Sequence, residues 1–177
     1  MSKTLVLGLG NLLLSDEGFG VQAVARLRDR FTFPADIELV DGGTLGLGLL
    51  PALEDADRIV VLDVVNLRTP PGTLTRLGWD DLPRALQIKI SPHQETAQEA
   101  FGMLEFRRGR PEGFEVVGVQ PDSLELGLEL SPSVEAAMEP AIREVVEILE
   151  GWGHNVIPRA ATLSPGAEIH LLGPLAR

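Results

Sequence analysis

The first stretch of this chain limits its fold more than any other. Thr4-Leu-Val-Leu7 is short and apolar, the composition of a strand covered on both faces, and Val21-Gln-Ala-Val-Ala-Arg-Leu27 carries the apolar spacing of a helix. Between them lies Gly8-Leu-Gly-Asn-Leu-Leu-Leu-Ser-Asp-Glu-Gly-Phe-Gly20. A buried strand that feeds a helix through a small-residue turn belongs to an open α/β sheet, where ligands bind beyond the carboxyl ends of the strands. The turn is not a nucleotide loop. A dinucleotide fingerprint needs glycine three residues after its second glycine, where this chain has Leu13, and no Gly-Lys-Ser/Thr follows. Asp16 and Glu17 at the helix start repel a phosphate and attract a cation.

The rest of the chain repeats the alternation. Apolar runs predict strands at 4–7, 37–40, 58–62, 88–90 and 115–119, and helical spacing predicts helices at 18–30, 47–53, 94–107 and 133–150. The last helix is the clearest, with Val134, Ala137, Met138, Ala141, Ile142, Val145, Val146 and Leu149 on one face, Pro132 before it and Gly151 after it. The expected fold class is therefore α/β: a three-layer α/β/α arrangement, with a mostly parallel twisted sheet of about five strands and helices on both faces. The polar stretches 66–78 and 107–113 read as loops. Residues 1–157 are expected to form one domain, and 158–177 an irregular C-terminal tail punctuated by Pro158, Pro165, Gly166 and Pro174.

Composition narrows the function. The chain has 177 residues and no cysteine, which excludes disulfides, thiolate metal ligands and a cysteine nucleophile. Its net charge of −11 disfavours nucleic acid and anionic membranes as partners. The apolar runs are too short to span a bilayer, and Met-Ser-Lys-Thr-Leu5 lacks a signal-peptide pattern, so the expected setting is the cytoplasm. A monomer is expected.

Laid on this topology, Glu17, Asp41, Asp63 and His93 all fall at carboxyl ends of strands, which converge on one crevice. Two carboxylates and one imidazole suit a divalent transition metal and leave coordination positions open. Each residue also fits a structural role. Asp16 is an N-cap candidate, Glu17 complements the helix dipole, Asp63 and Asp41 suit turns, and histidine often serves structural hydrogen bonds. His154 and His170, near the end of the chain, read as surface or local packing residues. No His-Glu-x-x-His occurs, since His93 is followed by Gln94-Glu95-Thr96-Ala97, and no Gly-x-Ser-x-Gly elbow is present.

An ordered set of motifs carries a family resemblance. Gly8-x-Gly-Asn-x-Leu-x-x-Asp-Glu-Gly-x-Gly20, Val40-Asp-Gly-Gly-Thr44, Asp63, Ser91-Pro-His-Gln94, Gly118-Val-Gln-Pro121 and Leu128-x-Leu-Ser-Pro-x-Val134 together resemble the hydrogenase maturation endopeptidases, over residues 3–157. The resemblance implies a sheet sandwiched between helices. It also implies an endopeptidase that removes a C-terminal extension from the large-subunit precursor of [NiFe] hydrogenase after nickel insertion. It assigns Glu17, Asp63 and His93 to the metal-contacting positions, the metal being the nickel of the precursor, and gives Asp41 a role in cleavage or substrate recognition. A self-contained zinc peptidase and a non-catalytic nickel-binding or chaperone module remain as alternatives at this point.

Overall fold

The computed structural model describes residues 2–82 and 92–159, and side chains from residue 97 onward in the second segment. Five strands form the main sheet: β1 (Thr4–Leu9), β3 (Ile37–Gly43), β4 (Arg58–Val64), β5 (Leu74–Leu77) and β6 (Gly113–Val119), in the order β3-β1-β4-β6-β5. The first four are parallel to one another, and β5 runs antiparallel on the β6 edge.

Strand alternation divides the core into two layers. Val6, Val60, Leu62, Val64, Val117 and Val119 face α1 (Phe19–Arg30) and α4 (Pro132–Gly151). Leu5, Leu7, Ile59, Val61 and Val116 face α2 (Leu50–Asp55) and α3 (Pro92–Arg108). Helices on both sides explain why the central strands are apolar throughout: β1 is buried at every position. The expected three-layer α/β/α fold is the observed one.

Most elements fall near their expected limits. Ser131 caps α4 by accepting from the Val134 N–H, with Pro132 in the first turn. The stretch expected as one helix at 47–53 is a 3₁₀ turn, Gly46–Leu49, running into the short α2.

Two further expectations change, and one falls where the structure gives no description. The stretch 66–78, read as loop, contains β5, whose two-leucine, partly exposed sequence is too short to display a strand period. The expected strand at 88–90 lies outside the described residues. The tail expected to be irregular begins with an ordered pair: β7 (Ile157–Pro158) lies antiparallel to β2 (Phe31–Thr32), and the Arg159 N–H donates to the Arg30 carbonyl at 2.7 Å.

The glycines of the first turn set how closely α1 meets the sheet. A Cβ on Gly8 would stand 2.3 Å from the Gly20 carbonyl oxygen, and a Cβ on Gly20 would stand 2.1 Å from that of Leu62. Gly10, at φ +132°, passes so close to the Glu17 carbonyl that a Cβ would overlap it. These glycines therefore serve close helix–strand packing and a tight turn, not a phosphate.

Candidate functional site

The carboxyl edge of the sheet is where the sequence-predicted residues gather. Glu17 sits in the 3₁₀ turn Ser15–Gly18 between β1 and α1 and is 1% exposed. Asp63 is near the end of β4, opposite Gly118 of β6, and is 5% exposed. Its Oδ1 accepts the N–H of Val64 at 2.8 Å. The Glu17 turn packs against β4, and α1 begins against the Leu62 carbonyl, one residue before Asp63. The elements that carry the two buried acids are thus in direct contact. A buried carboxylate is costly to hold charged, and a bound cation offsets that cost.

His93 lies in the first turn of α3; its side chain is outside the described residues. The course of the helix is nevertheless fixed from its other end. Arg108 donates to the carbonyls of Glu54 and Ala56 and to Asp57 Oδ1 at 2.8 Å, all at the amino edge of the sheet. A helix of this length spans roughly 25 Å, about the length of a seven-residue strand, so its N-terminus reaches the carboxyl edge. Among the described residues, no three His, Asp or Glu side chains stand together as a metal site. The His93 imidazole is not among those residues.

Asp41 reaches the same edge from a different direction. It is exposed, and it stands opposite Gly8 in register. Alternation along β3 puts it on the face of Ile37 and Leu39, whereas Asp63 shares the face of Ile59 and Val61. With β1 between their strands, the two carboxylates occupy opposite faces of the sheet.

Asp16 is not an N-cap. Neither the 3₁₀ turn nor α1 has a side-chain cap. The Asp16 carboxylate is fully buried and accepts four hydrogen bonds from one distant segment. Oδ2 takes the N–H groups of Asp122 and Ser123 at 2.8 and 2.9 Å and the Ser131 hydroxyl at 2.9 Å; Oδ1 takes the Ser131 N–H at 2.7 Å. The pattern "polar pair at a helix start" could not distinguish a local cap from this long-range anchor.

Gln120 is a second structural polar residue that periodicity alone does not explain. Buried just past β6, its Oε1 accepts the Leu67 N–H at 2.9 Å and its Nε2 donates to Asn66 Oδ1 at 3.2 Å, holding the loop after Asp63. The signal available in the sequence was its place in Gly118-Val-Gln-Pro121, immediately after an apolar strand. His154 lies at the opposite, amino edge, where its Nε2 is 2.8 Å from Thr4 Oγ1, and it acts in local packing as expected. His170 is outside the described residues. Among the described residues, no helix is long and apolar enough to cross a membrane.

Comparison with known proteins matches the chain by sequence and by fold. The family model of hydrogenase maturation proteases matches residues 21–148. The chain is 39% identical to the hydrogenase 2 maturation protease of Escherichia coli over 160 residues, covering 90% of this chain and 98% of the relative. It is 40% identical to the hydrogenase expression/formation protein HupD of Rhodobacter capsulatus, covering 92% and 78%. The solved structure of the hydrogenase maturating endopeptidase HybD from E. coli superposes with a TM-score of 0.84 at 39% identity, covering 89% of this chain and 98% of that one. With matched sequence and matched fold, this chain belongs to the hydrogenase maturation protease family and is a hydrolase, an endopeptidase of hydrogenase maturation.

Proposed function

We propose that this endopeptidase removes the C-terminal extension of a [NiFe] hydrogenase large-subunit precursor after nickel insertion, and that it recognises the precursor's own nickel. The observation that carries the reading is the pair of buried acids, Glu17 and Asp63, on touching elements at the edge toward which α3 directs its N-terminus and His93. Two carboxylates and one neutral imidazole balance a divalent charge. They fill only part of a coordination shell and leave positions for ligands that the precursor supplies.

Metal insertion then becomes a checkpoint. A precursor with nickel gains bonds to Glu17, Asp63 and His93, whereas an empty one meets only a cluster of negative charge. Asp41, exposed and outside the buried pair, is assigned to positioning of the scissile segment or proton transfer there.

The test is to incubate the protein with nickel-loaded and nickel-free precursor and follow loss of a C-terminal peptide by mass spectrometry. Cleavage of the loaded form alone is expected. His93→Ala and Asp63→Asn should abolish it with Tm nearly unchanged. Equal cleavage of both precursors overturns the checkpoint. Stoichiometric zinc in the purified protein, together with cleavage of generic peptides, would replace it with a self-contained zinc peptidase.

A further inference from the structure

The segment 121–131, between β6 and α4, has no regular secondary structure. Its backbone groups must therefore find partners elsewhere, and many find them on the short stretch that leads to Glu17. The Ser15 N–H donates to the Gly127 carbonyl at 2.8 Å, and the Gly127 N–H to the Leu13 carbonyl at 3.0 Å, forming a parallel bridge at Leu14. Ser15 Oγ donates to the Glu125 carbonyl at 2.8 Å. A Cβ on Gly127 would stand 2.7 Å from Ser15 Oγ, so the two chains touch closely. Asp16 adds the four bonds already described, and it alone among these partners is fully buried and charged.

We propose that Asp16 is a positioning residue for the cleavage reaction: it fixes segment 121–131 against the Glu17 turn, so that Leu126 and Leu128 form a ledge for the hydrogenase precursor. The inference rests on the proposed function above. Leu126 is 86% and Leu128 69% exposed, and the bridged stretch adds Leu12 and Leu13 at 43% and 60%. Exposed leucines gathered on two strands of backbone are a feature of contact surfaces. The occupant is the precursor because the ledge is continuous with the Glu17 turn: the bridge ends one residue before Asp16, and Glu17 comes next. Charge-assisted bonds from three N–H groups and a hydroxyl suit such a brace, since carboxylate bonds are roughly twice as strong as neutral ones.

Two variants test it. In Asp16→Asn, hydrogen exchange of the free protein should show the Asp122, Ser123 and Ser131 amides losing protection by about tenfold or more, while β1 and β4 keep theirs. In the double variant Leu126→Ser/Leu128→Ser, which changes only exposed side chains, protection should stay unchanged while KM for nickel-loaded precursor rises about tenfold at near-constant kcat. Asp16→Asn should show the same split between KM and kcat, which loss of folded protein would not give. Unchanged amide protection in Asp16→Asn, or unchanged KM in the leucine variant, overturns the proposal. Exchange is read without substrate, so failure of the wild type to cut any precursor would strike the proposed function and leave the brace to the amide data.

Discussion

Replacing Gly20 by alanine probes how closely the site depends on helix–sheet contact. In an isolated helix the change is favourable by about 0.5–1 kcal/mol, because alanine loses less backbone entropy. At Gly20, however, the new methyl would lie 2.1 Å from the Leu62 carbonyl oxygen and 2.4 Å from that of Leu9. Both are backbone atoms of central strands and cannot rotate aside. Since real Cβ atoms do not approach within 3.0 Å, α1 must retreat by about 0.9 Å. The retreat loosens Phe19, Val24 and Leu27 against the sheet, and overpacking of this kind costs about 1–3 kcal/mol. After the propensity gain, a net loss of up to about 2.5 kcal/mol remains, or up to roughly 10 °C in Tm for a chain of this size. The same shift draws the Glu17 turn away from Asp63, and a displacement of about 1 Å can cost a hundredfold in turnover.

Gly102 in α3 is the matched control, because a Cβ there meets nothing within 4 Å. Gly102→Ala should keep only the propensity gain and raise Tm by roughly 1–4 °C. Calorimetry on both variants, with cleavage rates beside it, makes the comparison. Tm shifts of the same sign would refute the claim that close contact, not helix propensity, governs Gly20.

Two further outcomes follow from the core and from the surface of the α1–α4 pair. Leu149, fully buried against the sheet, should cost about 2–5 kcal/mol when changed to alanine, seen as a lower denaturant midpoint at unchanged m-value. Arg26 donates both guanidinium arms to Glu135, at 2.7 and 2.8 Å, and this holds the Glu135 carboxyl below its ordinary range. A depressed carboxylate contributes stability that is complete above its unfolded pKa of about 4.3 and is lost as pH falls through the lower folded value. The pair is half-exposed and screened, so the contribution is below about 1 kcal/mol. Arg26→Ala should return the Glu135 titration, followed by carboxyl NMR, towards its ordinary value. An unmoved titration would show that the Arg26 bond is not the cause.

Local signals in the chain determined most of the architecture. Apolar runs without alternation implied a parallel sheet covered on both faces, and the 3.6-residue spacing of α4 located its buried stripe. The same alternation put Glu17, Asp41 and Asp63 at one edge, because connection length and strand direction follow from neighbouring residues. Other properties depended on contacts between distant positions. β5 is too short to show a period and exists because β6 offers it an edge. Gly20 looks like any helix-start glycine until Leu62 and Leu9 come against it. Asp16 carries the local signature of an N-cap, yet its partners lie more than a hundred residues away. Asp41 and Asp63 share an edge but not a face, which depends on the register of three strands together. Short-range periodicity encodes which segments are buried. Only packing decides what each buried polar group meets there.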